Sequence, residues 1–152
     1  CGSDWPVSAR AATKLYSPVL LGLATGLSRF PLTEDLPLRA EARSRSCGSV
    51  IALGLALDEA GAVARIGMQV SACAIGQASA ALLAEGAGDT DPVTIQRTGE
   101  ALAAWLAGAG DLPAWPGIEA LAPALDHPGR HGALLLPWKA ASEALSQGDH
   151  AR

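Results

Sequence analysis

Two short segments carry the residues in this sequence that are best suited to chemistry. The first is Cys47-Gly48-Ser49, and the second begins at Cys73. A cysteine thiolate binds metal ions and attacks sulfur, so these two thiols are candidates for metal or sulfur chemistry. We therefore take Cys47 and Cys73 as the candidate ligands from which any site in this chain has to be built.

The pattern between the two cysteines predicts that they lie close together. Residues 50–57 and 63–70 alternate between large and small or polar side chains, and a turn at residues 58–61 joins them. Period-2 alternation across a short turn predicts an antiparallel hairpin, whose outer ends meet at one edge of the sheet. Cys47 precedes the first strand, and Cys73 follows the second at the start of a predicted helix. The helix dipole and its free N–H groups stabilise a thiolate there.

The remaining elements predict the class of fold that positions these ends. A helix is expected from Pro18, with Ser17 as its N-cap, to residue 27, and a further strand at 38–44. The second half predicts helices at 74–85, at 92–106 with Asp91 as N-cap, near 118–125, and at 136–145. This order predicts an α+β fold, in which helices pack on one face of a small antiparallel three-stranded sheet.

Composition limits the classes of function. The chain has 152 residues, enough for one domain, with a net charge of −4 that does not favour nucleic acid or an anionic membrane. No apolar run reaches the roughly 18 residues of a membrane helix. An odd number of cysteines and the lack of a secretory pattern predict a cytoplasmic protein with reduced thiols. We expect a flexible leader at 1–12, a domain at 13–148 and a tail at 149–152.

Four segments, in the same order along the chain, resemble one protein family. The segments are Leu15-Tyr16-Ser17-Pro18, Cys47-Gly48-Ser49, Cys73-Ala74-Ile75-Gly76 and Leu136-Pro137-Trp138-Lys139-Ala140. They resemble the iron–sulfur cluster assembly scaffolds of the IscU/SufU (NifU N-terminal) type, over residues 13–148. The long stretch after Cys73 points to the SufU-like branch. The resemblance implies a monomeric scaffold that binds iron, an iron–sulfur cluster or zinc, and is not an enzyme. It also implies a cysteine desulfurase as partner, with other iron–sulfur assembly proteins as further candidates.

The chain departs from this family at two of its four ligand positions. The family has Asp after Cys-Gly where this chain has Ser49, and a hydroxyl is a poor ligand for zinc or iron. The family's third cysteine, a ligand and the sulfur acceptor, aligns with Ala133, or with Gly132 after a shift of one residue. Neither residue has a donor atom.

A histidine near the missing cysteine is the candidate replacement. His131, predicted to lie in a loop, would give a Cys47, Cys73 and His131 set, since imidazole binds both zinc and iron. His127 and Asp126 are further candidates on the same loop. A partner protein is the other candidate source of the missing ligand.

Two other functions stay open at this point. One is a metal-free degenerate homologue, an interaction or regulatory domain that docks to a cysteine desulfurase or another assembly component. The less favoured alternative is a sulfurtransferase that carries a persulfide on Cys47 or Cys73. Trp115, between prolines, is either an exposed anchor for a partner or a plug that fills a loop. Arg39, Arg43 and Arg45 form either a solvated edge or a docking face for an acidic partner.

Overall fold

The computed structural model of the chain describes residues 18–44 and 48–150. Its strands are β1 (Leu38–Arg43), β2 (Val50–Leu57) and β3 (Val63–Ser71). Its α-helices are α1 (Pro18–Thr25), α2 (Ala74–Ala87), α3 (Pro92–Leu106) and α4 (His131–His150). Three 3₁₀ helices occupy Gly26–Arg29, Ile118–Asp126 and Pro128–Arg130. The leader, Ser17 and Cys47 lie outside the described residues, and the division into leader, domain and tail stays a prediction.

The three strands form one antiparallel sheet in the order β1–β2–β3. Alternate residues of the central strand, Ile51, Leu53 and Leu55, are fully buried, as period-2 patterning requires of a strand that covers a core on one face. Helices α2 and α4 pack against the sheet. The predicted α+β fold with a three-stranded antiparallel sheet is therefore confirmed.

A crossing segment, residues 31–36, covers the middle of the opposite face of the sheet. Gly54 and Gly67 are register partners there. A Cβ on Gly54 would stand 2.9 Å from side-chain atoms of Leu36, and one on Gly67 would collide with the carbonyl oxygen of Pro31. Two facing glycines are needed because the backbone and Leu36, which is 2% exposed, lie directly on the sheet.

Charged side chains fix this crossing segment. Arg65 of β3 forms an ion pair with Asp35, and Arg39 of β1 donates from Nε to the carbonyl oxygen of Leu36 at 3.1 Å. Arg39 therefore holds a neighbouring segment of its own chain. Arg43 is exposed, and Arg45 lies outside the described residues. The two alternatives for these arginines, a solvated edge and a docking face for an acidic partner, both stay predictions.

Helix α3 begins where the sequence predicts, because a local side-chain cap decides its start. The Asp91 carboxylate accepts a hydrogen bond from the backbone N–H of Thr94 at 3.3 Å, and α3 begins at Pro92 as predicted.

The expected start of the last helix near residue 136 was wrong, because α4 begins at His131. Pro137 lies inside this helix and does not begin it. The helix begins before the proline because Leu134 is buried, and this packing outweighs the backbone hydrogen bond that Pro137 cannot donate.

Among the described helices, none combines the length and the apolar character that crossing a bilayer requires.

Candidate functional site

The open end of the β2–β3 hairpin leads to Cys73 on one side and begins after Gly48 and Ser49 on the other. Val50, the first residue of β2, is paired both with Arg43 of β1 and with Ser71 of β3. Before it, the N–H of Ser44 donates to the carbonyl oxygen of Ser49 at 2.8 Å, and Gly48 has a φ of 71°. Ser44, Gly48 and Ser49 therefore lie at the end of the sheet where β3 leads into α2.

Cys73 occupies the N-cap position of α2 with extended backbone angles. Its carbonyl oxygen accepts the backbone N–H of Gln77 at 3.0 Å, and the Gln77 side chain donates from Nε2 to the carbonyl oxygen of Ala72 at 2.8 Å. The thiol makes no capping hydrogen bond and is partly exposed. The backbone at Cys73 is therefore fixed from both sides, and its side chain packs partly against the hydrophobic core.

Ala133, one of the two residues that the resemblance aligns with the family's third cysteine, lies against the same turn of α2. A Cβ on Gly76 would stand 2.8 Å from the Cβ of Ala72 and 3.3 Å from the Cβ of Ala133. Residues 72 and 76 bracket Cys73 in the sequence, so the start of α4 packs beside the thiol-bearing turn. Ala133 is 1% exposed and brings only a methyl group to this contact. Ala133 therefore brings no donor atom to this turn of α2.

His131 has a different environment from the predicted loop. It is the first residue of α4, and its Nε2 lies 3.0 Å from the carbonyl oxygen of Ala124 and 3.1 Å from that of Leu125. Because carbonyl oxygens only accept, Nε2 carries the proton, and Nδ1 is the ring nitrogen left for a metal. Residues two apart on a helix do not face the same way, so His131 and Ala133 project in different directions.

Ser49, at the position where the resemblance implies a carboxylate, is 3% exposed. Within residues 18–44 and 48–150, no three side chains of the His, Cys, Asp and Glu types come together in a way that could hold a metal ion. Asp126 and His127 therefore do not complete a set with Cys73 and His131. Cys47 falls outside the described residues, so a set that includes it stays a prediction.

A buried chain of hydrogen bonds locks α4 onto α2 next to the site. The indole Nε1 of Trp138 donates to Oγ of Ser79 at 3.0 Å, and this hydroxyl donates to the carbonyl oxygen of Leu134 at 2.6 Å. Ser79 is fully buried. A buried indole N–H needs an acceptor, and here the acceptor also fixes the first turns of α4.

Trp115 fills a loop and is buried. Its ring packs edge-on against Trp138, with centroids 5.0 Å apart, and its Nε1 donates to the carbonyl oxygen of Leu82 at 2.8 Å. A Cβ on Gly86 would stand 2.7 Å from the indole, so a glycine is needed where the ring crosses α2. Of the two alternatives for Trp115, the structure shows the loop plug.

Sequence reasoning missed the residues that position the site. Gly76, Gln77 and Ser79 all lie on α2, and each was visible as an exception in a helix made mainly of Ala and Leu. Glycine in the first turns of a helix signals close approach of another backbone. Serine within an apolar helix signals a buried hydrogen bond. Their partners on α4 could not be named from the sequence.

Comparison with known proteins identifies the fold. No protein-family model and no curated protein sequence matches the chain. The structure of an N-terminal NifU-like nitrogen-fixing protein from Brucella abortus superposes with a TM-score of 0.84 at 23% identity, covering 93% of this chain and 99% of that one. A putative iron–sulfur cluster assembly scaffold protein for the SUF system, from Fervidobacterium islandicum AW-1, gives 0.79 at 22% identity, with 88% and 98% covered. The predicted resemblance to scaffolds of this type is therefore confirmed at the level of the fold.

Proposed function

We propose that this chain is an iron–sulfur cluster assembly scaffold of the SufU-like type with an incomplete ligand set. Cys47 and Cys73 bind iron, an iron–sulfur cluster or zinc as thiolates. The cluster is cargo that the protein holds and passes on, so the chain itself is not an enzyme. A cysteine desulfurase supplies the sulfur, and the protein acts in the cytoplasm.

The observation that carries this proposal is the placement of the family's motif positions in a shared fold. Position 73 caps α2, position 49 lies at the adjoining strand end, and position 133 packs against the first turn of α2. These positions are the ones that supply ligands in the scaffold family that the sequence resembles. Two of them have lost their donors in this chain, so the thiolates of Cys73 and Cys47 have to do most of the binding.

The missing ligand comes either from His131 or from a partner. His131 has only Nδ1 available, because its Nε2–H is shared by two carbonyl oxygens of the 3₁₀ helix Ile118–Asp126. A metal bound through Nδ1 leaves this hydrogen bond in place, and such outer bonds orient a ligating imidazole. A donor from the desulfurase would instead make binding depend on the complex.

The alternative function is a metal-free domain that docks to a cysteine desulfurase or another assembly component. The burial of Ala133 and Ser49, at 1% and 3% exposure, favours it. Where the family has donor atoms, this chain has a methyl group and a hydroxyl. The fold would then be kept for its docking surface alone.

Metal analysis of anaerobically purified protein tests the two functions. We expect iron or zinc in the unmodified chain, and its loss in both Cys47→Ala and Cys73→Ala. Cys1→Ala is the matched control, because it removes a thiol to which the proposal gives no role. Chelation should also lower the thermal midpoint of the unmodified chain, since a bound metal contributes to folding.

Metal-free protein whose midpoint does not respond to chelation would refute the metal-binding function. Titration with a purified cysteine desulfurase then tests the alternative. Binding that survives Cys47→Ala and Cys73→Ala would favour the docking domain. A labelled persulfide on either thiol, after incubation with the desulfurase and cysteine, would instead support the sulfurtransferase.

A further inference from the structure

A groove of about 390 Å³ runs between α3 and α4, and none of the candidate ligands lines it. Its floor is made by Gly99 and Ala103 of α3 and by Leu135 and Trp138 of α4. A Cβ on Gly99 would stand 3.2 Å from the Cβ of Trp138, so the two helices approach closely at the base of the groove. On each helix these residues are three or four positions apart, which is the spacing of a single helix face.

Opposite charges border this apolar floor. Glu100 of α3 and Lys139 of α4 both line the groove and are both exposed. Neither has an ion-pair partner among the described residues, where the pairs are Arg29–Glu85 and Arg65–Asp35. Each helix therefore presents one exposed charge beside the floor, and the two charges have opposite signs.

We propose that this groove binds an amphipathic helix of a partner protein. An apolar stripe on the partner helix packs on the floor, a basic side chain on one flank pairs with Glu100, and an acidic side chain on the other pairs with Lys139. Two adjacent helices leave a groove whose ridges suit a third helix, and such grooves recognise apolar residues at helical spacing. The apolar floor is formed by two neighbouring helices, so a partner helix can pack along it.

Two labelled helical peptides of about four turns serve as probes. Both carry leucines on one face, and one peptide has glutamates on its flanks where the other has lysines. Binding is measured by fluorescence anisotropy. Lys139→Glu makes both rims negative, so we expect its preference to move towards the basic peptide by roughly five- to tenfold. Glu100→Lys makes both rims positive and moves the preference towards the acidic peptide by a similar factor.

Matched controls separate an effect of the groove from an effect of the protein's net charge. Glu59→Lys in the β2–β3 turn and Arg43→Glu on β1 make the same charge changes at exposed residues on other elements, and neither should alter the preference. Ala103→Trp places a ring in the groove from an exposed position, and should abolish binding of both peptides while circular dichroism shows an unchanged fold.

Three results would overturn the proposal. They are the absence of peptide binding to the unmodified chain, equal shifts in the groove variants and their controls, and binding that persists in Ala103→Trp. Self-association of the chain that Ala103→Trp abolishes would assign the groove to a second copy instead of a partner helix.

Discussion

Gly76→Ala tests the close packing that brings position 133 to the candidate site. The added Cβ would stand 2.8 Å from the Cβ of Ala72 and 3.3 Å from that of Ala133. Both neighbours are Cβ atoms fixed to the backbone, so no side-chain rotation relieves the contact. Overpacking costs about 1–3 kcal/mol, and the gain in helix propensity offsets up to about 1 kcal/mol of it.

We therefore expect Gly76→Ala to lower the free energy of unfolding by about 1–2 kcal/mol. Urea unfolding followed by circular dichroism measures this change, and the thermal midpoint should fall by roughly 2–4 °C for each kcal/mol. The measurement is made on chelator-treated protein, so that metal binding does not contribute to the stability.

Gly22→Ala is the matched control. Gly22 lies on α1 with no atom within 4 Å of an added Cβ, so the same substitution gains helix propensity without a collision. We expect it to raise the free energy of unfolding, by at most about 1 kcal/mol. If Gly76→Ala stabilises the protein as much as Gly22→Ala does, α2 and the start of α4 are not in close contact at Gly76. Residue 133 would then not lie against the first turn of α2.

Three further predictions concern the site and the crossing segment. Ser79→Ala leaves the buried indole N–H of Trp138 without its acceptor, and should cost about 1–3 kcal/mol in urea unfolding; an unchanged midpoint would contradict the buried hydrogen bond. Arg65 lowers the pKa of Asp35 to about 2, so the stability that this pair adds is present above the ordinary carboxyl pKa and is lost as pH falls from about 4 towards 2. Asp35→Asn should remove that part of the pH dependence, and identical acid-unfolding profiles would argue against it. Ala133→Cys adds a third thiol beside the first turn of α2 and should increase bound iron or zinc after anaerobic purification; an unchanged metal content would place residue 133 too far from the site.

Local patterns in the sequence were sufficient for the sheet. The alternation at residues 50–57 and 63–70 reflects one buried face and predicts the hairpin, which the structure contains as Val50–Leu57 and Val63–Ser71. Asp91 followed by Pro92 fixes the start of α3, because a side-chain cap and a missing N–H act within one helical turn. Such signals depend only on neighbouring residues, so a single sequence reveals them.

The surroundings of the candidate site depend on contacts between residues far apart in the chain. The sequence predicted which residues could be ligands, and the family resemblance identified Ala133 as the position without a donor. Only the packing of α4 on α2 shows that Ala133 lies beside the turn of Cys73, and that the His131 ring nitrogen Nε2 is bound to two carbonyl oxygens. Helix packing is decided by the shapes of surfaces distant in the sequence, so the direction of a side chain at a helix start cannot be derived from neighbouring residues alone.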